Sequence, residues 1–299
     1  MTEEAVASSG VRTSMGRLVI RVFRFFRRWP VIPVLIVMML VVAAVFAPWL
    51  APHDPIAGDL AKRNIVPMWY AKGSSEYILG TDPQGRDIIS RVIYGARISL
   101  LISAIVLGLG GILGTTLGLV SGYSGGMIDE VLMRFVDFTL GVPFILVALV
   151  VAVVFGNSLP IIIILLIVFS WNAFARQARA EALRIKTLDY VAQARVAGAS
   201  QFRIMYKHLF PGVMDPIVVV ATWRVGMLIL TEATLSFLGV GVPEPTATWG
   251  SMVAGGRDYI AAAWWVCFFP GVAILLTVLA FNFLGDWLRD RLDPRLRQL

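Results

Sequence analysis

The sequence has few charged residues, one cysteine and two histidines, and each shortage excludes a class of protein. Only 15% of its 299 residues are charged, whereas 58% are hydrophobic and the mean hydropathy is +0.79. A water-soluble globular domain does not have this balance. The single cysteine, Cys267, excludes an intrachain disulfide and a cysteine-based metal site. We therefore predict an integral membrane protein.

Residues that carry catalysis are scarce as well. The sequence contains neither a G-x-x-x-x-G-K-[ST] phosphate loop nor an H-E-x-x-H zinc motif. The two histidines, His53 and His208, are predicted on opposite sides of the membrane, so they cannot share a metal ion. No serine has a histidine and a carboxylate beside it in the sequence. We expect a chain that is not an enzyme and that binds no metal and no cofactor of its own.

Long apolar runs organise the rest of the chain. A bilayer core of about 30 Å is crossed by about 20 apolar residues in a helix. A retained first helix is favoured over a cleaved signal peptide, because its apolar run is long for a signal sequence. Six membrane-spanning helices are predicted, at 31–50, 98–121, 131–155, 159–175, 216–238 and 266–285. The predicted organisation is a basic amphipathic start at 1–30, a first helix at 31–50, an external loop at 51–97, a five-helix core at 98–288 and a tail at 289–299.

Lysine and arginine are distributed unevenly between the two sides that six helices create. With the N-terminus inside, 18 of the 26 basic residues lie on the inner side and 7 on the outer side. Because cytoplasmic loops carry the excess of Lys and Arg, both termini are predicted to face the cytoplasm. The net charge of +7 is therefore assigned to membrane orientation, and no nucleic-acid partner is expected.

Four glycines recur at intervals of four within the second predicted span. Gly110, Gly114, Gly118 and Gly122 lie on one face of a helix at this spacing. A face without side chains lets a second helix backbone approach closely, where lipid provides no hydrophobic drive for association. We predict a helix-packing face. Membrane lipid should cover other faces, and an aromatic belt is expected at Trp69, Trp249, Trp264 and Trp265.

A basic loop at 177–213 separates the fourth and fifth predicted spans. The fourth helix is predicted to continue to Lys186. Thr187 or Asp189 then caps a short helix that stops at Gly198. Ser200 is predicted to cap a second helix that Pro211 closes, and the fifth span begins at Pro216.

The short helix in this loop has small residues that could enter a groove in a partner protein. From patterning alone, an amphipathic loop resting on lipid headgroups is slightly favoured over a partner contact. The small residues are Ala192, Ala194, Ala197, Gly198 and Ala199, and Tyr190, Arg195 and Arg203 can supply anchoring and charged contacts.

The loop resembles the cytoplasmic Glu-Ala-Ala loop of the inner-membrane permease subunits of ABC importers. With the glycine of that family placed on Gly198, Ala192, Gln193 and Ala194 occupy the Glu-Ala-Ala positions, and the segment closes at Pro211. The signature glutamate is absent. Asp189, three residues earlier, is the nearest carboxylate. The resemblance implies that this loop couples the chain to an ATPase subunit, and the residues assigned to that contact are Asp189, Tyr190, Ala192, Ala194, Arg195, Gly198 and Ala199.

Further motifs extend the resemblance over most of the chain. They are LGTDPQGRDIISRVIYGARISL, GYSGGMIDEVLMRFVDFTLGVP, EATLSFLGVGVPEPTATWG and GDWLRDRLDPRLR. These are similar to the dipeptide, oligopeptide and nickel branch of the permeases, in particular to the subunit with a long first external loop.

The resemblance implies a type I ABC importer permease in a prokaryotic plasma (inner) membrane. Such a permease pairs with a homologous permease as a heterodimer and works by alternating access. It also assembles with two ABC ATPase subunits, which bind ATP and Mg²⁺, and with an extracytoplasmic solute-binding protein. The implied solutes are di- and oligopeptides, with nickel or another small solute as the alternative. An ion-coupled secondary transporter and a membrane anchor or assembly factor are the other function classes considered.

Two charged residues fall inside the fifth predicted span, where an uncompensated charge costs about 2.5 to 3.5 kcal/mol on insertion scales. Arg224 and Glu232 differ by about 80° around the helix and 12 Å along it, so no direct ion pair is expected. They are candidates for lining the translocation path and meeting the charged termini of a peptide. Alternatively, Arg224 snorkels and Glu232 bonds to backbone or hydroxyl groups. A pair between Arg134 and Asp137 is also predicted.

Overall fold

The computed structural model of the chain describes residues 30–292, and this part is helical without a β-strand. The prediction of an all-α membrane fold is confirmed, since four of its helices are long and apolar enough to cross a bilayer. The predicted basic segment 1–30 lies outside the described residues except for Pro30. Most of the predicted tail 289–299 also lies outside them.

Eleven helices occur in the described part of the chain. They are α1 (Val31–Val45), α2 (Ala47–Leu50), α3 (Ile88–Ser124), α4 (Gly126–Gly141), α5 (Phe144–Phe155), α6 (Leu159–Ile185), α7 (Asp189–Val196), α8 (Gln201–Ile204), α9 (Phe210–Phe237), α10 (Trp249–Gly256) and α11 (Trp265–Leu292). A π-helical turn, Met205–Leu209, joins α8 to α9, and 3₁₀ turns occur at Leu60–Lys62 and Arg257–Tyr259.

The helices run alternately up and down, so the bundle has two ends. The loop end contains residues 122–130 and 176–209, where Lys186 donates to the carbonyl of Gly122. The far end contains residues 51–87, 156–158 and 238–264, where Trp265 donates to the carbonyl of Thr81.

The count of six straight spans is not reproduced. The predicted third span, 131–155, is two helices that meet at 77°, because Pro143 forces Val142 into an extended conformation between them. The predicted first span is the 15-residue α1 followed by α2 after a break at Phe46. Pro48 at the start of α2 has no N–H to continue the α1 ladder.

Helix α3 is longer than expected. It runs without interruption over 37 residues, or about 55 Å, so the predicted external loop 51–97 ends at Asp87. The carboxylate of Asp87 caps the helix by accepting from the N–H of Ser90. The predicted border at residues 97 and 98 falls inside α3.

A glycine seam between α3 and α6 forms the centre of the bundle. A Cβ on Gly110 would lie 2.6 Å from the Ser170 hydroxyl, and one on Gly122 would lie 2.8 Å from the Arg179 carbonyl. A Cβ on Gly114 would overlap the carbonyl oxygen of Trp171. A Cβ on Gly118 would likewise overlap the carbonyl oxygen of Ala175. The two backbones approach closely because these glycines have no side chain.

The far end is fixed by indole and guanidinium groups. Trp249 donates to the carbonyl of Val92 and Trp265 to that of Thr81, with both tryptophans almost fully buried. The prediction that these two belong to an interfacial aromatic belt is wrong, because their N–H groups have backbone partners inside the protein. Trp69 is exposed, as a belt residue would be.

An ion-pair network at the far end joins the first loop to the loop before α10. The guanidinium of Arg86 donates to Asp82 at 2.6 Å and to both carboxylate oxygens of Glu244 at 3.3 Å. Burial lowers the pKa of Arg86, but the two carboxylates outweigh burial and the net shift is upward. Arg91 is 1% exposed and donates to the carbonyl of Pro55.

We predict that Gly114→Leu destabilises the bundle by about 1–3 kcal/mol, because the new side chain overlaps α6. Thermal unfolding of the purified protein measures the effect. Gly108→Leu is the matched control, since a Cβ on Gly108 meets nothing within 4 Å. Equal unfolding temperatures for the two variants would contradict a close α3–α6 seam.

Candidate functional site

The segment that carries most of the candidate site residues is the short helix α7 at the loop end. Helix α6 extends beyond the predicted span to Ile185, one residue short of the predicted Lys186. Residues 186–188 then connect it to α7. The inward face of the segment is anchored by Val191 and Ile204, which are 0% and 1% exposed. Both pack in one core cluster with Ile185 and Val213 of the flanking helices. Helix α7 is therefore packed against both α6 and α9.

The end of α7 is defined by a glycine in the left-handed region. Gly198 has φ +80°, its N–H donates to the carbonyl of Arg195, and the next N–H, of Ala199, donates to that of Ala194. This pair of bonds is the Schellman motif, in which glycine is strongly preferred. Ser200 then caps α8 by accepting from the N–H of Arg203.

The start of α7 differs from the prediction. The cap position is Leu188, and no side chain caps the helix. The hydroxyl of Thr187 instead donates back to the carbonyl of Arg184, since Thr187 lies in the turn that follows α6. Asp189 is the first residue of α7, where its carboxylate interacts favourably with the helix N-terminus.

The outward face of α7 is exposed. Five of the predicted contact residues lie on it, and two are half-buried. The exposed five are Asp189, Tyr190, Ala192, Arg195 and Gly198, and the half-buried two are Ala194 and Ala199. Val196 was missed by sequence reasoning although it is 90% exposed. A valine beside the helix stop, on an otherwise small and polar helix, was the available signal.

Tyr190 has a second contact that the sequence did not predict. Its hydroxyl donates to the carbonyl of His208 at 3.3 Å, and the two rings lie 5.9 Å apart. His208 belongs to the π-helical turn that precedes α9. Tyr190 therefore braces α7 against the beginning of α9.

Two predictions about prolines at the start of α9 are wrong. Pro211 does not close a helix, and Pro216 does not begin one. Residues 201–237 form one continuous 37-residue helical path. Pro211 is tolerated in the first turn of α9, where its missing N–H is not required, and the wide turn just before it changes the hydrogen-bond register. Pro216 lies inside α9.

Charged pairs tie α4 to α6 next to the loop. The guanidinium of Arg179 donates to both carboxylate oxygens of Asp129, at 2.6 and 2.7 Å, and Ser121 of α3 donates to the same carboxylate. The predicted pair between Arg134 and Asp137 is wrong. Arg134 pairs with Glu130, and Asp137 accepts from Arg176 on α6, since an i,i+4 partner and a facing helix are both within reach.

Glu232 lies in a hydrogen-bond network at the far end, in which its Oε1 is bonded and its buried Oε2 has no partner among the described residues. It is 2% exposed, and its Oε1 accepts from the hydroxyls of Ser236 and Thr248. Thr248 also caps α10 by accepting from the N–H of Ser251. The carboxylate thus attaches α10 to the end of α9. This geometry favours the structural alternative for Glu232 over a place in the path.

Arg224 is placed differently. It is half-buried at the middle of α9 and, among residues 30–292, forms no hydrogen bond and no ion pair. A groove of about 510 Å³ between α3 and α9 extends along α9 from Phe210 to Val225. Arg224 therefore lies beside the inner end of that groove. The two predicted path residues are not brought together.

Within the described part of the chain, no group of three or more His, Cys, Asp or Glu residues could hold a metal ion. The sulfur of Cys267 lies 3.4 Å from the carbonyl of Val253.

Comparison with known proteins gives a consistent result. Residues 114–298 match the family model described as binding-protein-dependent transport system inner membrane component. The chain is 42% identical over 265 residues to the di/tripeptide transport system permease protein DppC of Pseudomonas aeruginosa, covering 88% of this chain and 87% of the relative. It is 40% identical to the dipeptide transport system permease protein DppC of Bacillus subtilis, covering 88% and 81%.

Two further similarities extend this result. The glutathione transport system permease protein GsiD of Pectobacterium atrosepticum is 41% identical, with 88% of this chain and 86% of the relative covered. Among solved structures, a chain of the methionine ABC transporter MetNI in an inward-facing form aligns with a TM-score of 0.58. It covers 69% of this chain and 98% of its own length at 20% identity, which shows a shared fold.

We predict that Glu232→Leu lowers the stability of the protein by about 1–3 kcal/mol, because the buried Ser236 and Thr248 hydroxyls lose their acceptor. Glu232→Gln is the control, since its amide oxygen accepts the same bonds. The unfolding temperatures of the two purified variants measure the difference. If Glu232→Leu unfolds at the same temperature as the unaltered protein, the structural assignment is wrong.

Proposed function

Because the chain belongs to the binding-protein-dependent transport system inner membrane components, we propose that it is the permease subunit of an ATP-driven importer for di- and oligopeptides. The chain is a non-catalytic transport component of an ABC transporter in the inner membrane. The peptide solute is supported by relatives about 40% identical, which are named as di/tripeptide and dipeptide permeases. Glutathione, named for another relative, is itself a tripeptide.

The observation that carries the proposal is that α7, at the loop end, has one buried face and one exposed face. Helix α7 buries Val191 against two membrane helices and exposes its opposite face, with Val196 90% exposed. An exposed apolar side chain on a rigidly held helix is suited to a groove in a soluble partner. We assign that groove to an ABC ATPase subunit.

The expected assembly contains this chain, a homologous permease, two ATPase subunits and an extracytoplasmic solute-binding protein. ATP and Mg²⁺ are bound by the ATPase subunits in this proposal, and none by this chain. The termini and the loop end face the cytoplasm, which agrees with the excess of Lys and Arg on that side. Lipid surrounds the faces of the pair that remain exposed.

The proposed mechanism is alternating access. Closure of the two ATPase subunits displaces α7, and the buried contacts of Val191 and Ile204 transmit the displacement to α6 and α9. Helix α9 reaches the far end, where Glu232 holds α10 through Thr248. A movement at the loop end therefore reaches the solute-facing end through a single helix and its attached network.

We predict that Gly198→Val reduces peptide uptake per ATP hydrolysed roughly tenfold. A β-branched residue at φ +80° is strained by about 1–2 kcal/mol, and its side chain points into open space where the partner is expected. Gly198→Asn should retain coupling, since asparagine tolerates this conformation. Uptake and ATP hydrolysis are measured together on the assembled transporter in liposomes.

The matched control for this experiment lies at the other end of the bundle. Gly156 has φ +76° and equally open surroundings, so Gly156→Val applies the same strain away from the ATPase. Coupling should be normal in that variant. A normal ratio of peptide to ATP in Gly198→Val would remove the coupling role. Peptide uptake by the chain alone, driven by an ion gradient, would instead support a secondary transporter.

A further inference from the structure

Arg224 is the one charged residue near the middle of α9, the helix that joins the loop end to the far end. It is 14 residues from Phe210 and 13 from Phe237, or roughly 20 Å from each end at 1.5 Å per residue. Long basic side chains reach the membrane surface only from positions near the helix ends. Snorkelling therefore does not explain how this guanidinium is accommodated.

No carboxylate in the described part of the chain neutralises Arg224. Among residues 30–292 it has no ion pair and no hydrogen bond. The nearest acidic residue on its own helix toward the far end, Glu232, is about 12 Å further along the axis and accepts two hydroxyl groups there. An arginine has five N–H donors and no acceptor, so an anion from outside residues 30–292 is the partner its chemistry requires.

The groove between α3 and α9 gives such an anion a route. Its lining on α9 begins at Phe210 at the loop end and finishes at Val225, next to Arg224. Three threonines, Thr115, Thr116 and Thr222, interrupt an otherwise apolar lining. The hydroxyls of Thr116 and Thr222 donate to backbone carbonyls of their own helices. Arg224 is not itself a lining residue. It adjoins Val225, where the lining on α9 ends, so its long cationic side chain is within reach of a solute that carries a negative charge in the groove.

Resting on the proposed peptide transport, we infer that Arg224 binds the carboxylate of the transported solute as it passes the middle of the membrane. The guanidinium forms a two-point pair with a carboxylate, which the C-terminus of any unmodified peptide supplies. Arg224 thereby selects solutes that carry a free carboxylate, in addition to any selection by the binding protein.

The test uses the assembled transporter in liposomes, with the binding protein saturated by trialanine or by its C-terminal amide. Because every arm contains the same binding protein, its own selectivity cancels when variants are compared. Arg224→Gln should slow trialanine uptake at least tenfold and change uptake of the amide less than twofold. Arg224→Lys, which keeps the charge, should retain a preference for trialanine.

A second arm does not depend on the amide being transported. The chain has one cysteine, so Arg224→Cys with Cys267→Ser gives a single thiol in this subunit. A positively charged methanethiosulfonate should restore trialanine uptake, whereas a neutral one of similar size should not. Cys267→Ser alone, treated with the same reagents, controls for effects on the other subunits.

The outcomes separate the possible partners of Arg224. Arg224→Gln could reduce the uptake of trialanine and of its amide equally and also reduce the recovery of the assembled complex. This result would indicate that Arg224 pairs with a carboxylate of the partner permease, and it would overturn the inference. Unchanged uptake, or an introduced thiol at position 224 that no charged reagent reaches in any nucleotide state, would overturn it as well. Each of these results leaves the proposed function standing. A wild-type transporter that carries no peptide would remove the proposed function and this inference together.

Discussion

The close approach of two helix backbones is the constraint on which the rest of the structure depends. Inside a membrane, apolar side chains gain nothing by leaving lipid for protein, so association relies on close packing. The glycines of α3 supply it, with Gly114 and Gly118 lying against the carbonyls of Trp171 and Ala175. Helix α6 is held along this seam, and α7 follows from its end. The position of α7 therefore depends on the contacts between α3 and α6 in the centre of the bundle.

Helix α9 completes the connection between the two ends. Its beginning is braced by Tyr190 on α7, its middle carries Arg224 beside the groove, and its end holds α10 through Glu232 and Thr248. The two intramembrane charges therefore have different tasks in our account. Glu232 is a fixed structural tie, while Arg224 is kept without an internal partner for a passing carboxylate.

Local patterns were sufficient to predict much of the fold. The apolar runs gave the membrane class, a spacing of four placed the glycines on one face, and the glycine and serine after α7 indicated a stop followed by a cap. The prediction that Pro211 ends a helix and Pro216 begins another was wrong, because both lie within one helical path. The sequence could not show that Val196 is exposed or that Trp249 and Trp265 are buried, since burial depends on which helices pack against them.

The most direct test of the coupling role is a cross-link from the exposed valine of α7. Val196→Cys, in a Cys267→Ser chain, places one thiol of this subunit where the ATPase is expected. Our account predicts that this introduced thiol cross-links to an ATPase subunit in the assembled transporter and that the yield changes when ATP binds. A thiol that cross-links to no ATPase, and that reacts with soluble reagents as fast in the assembly as in the isolated chain, would contradict it.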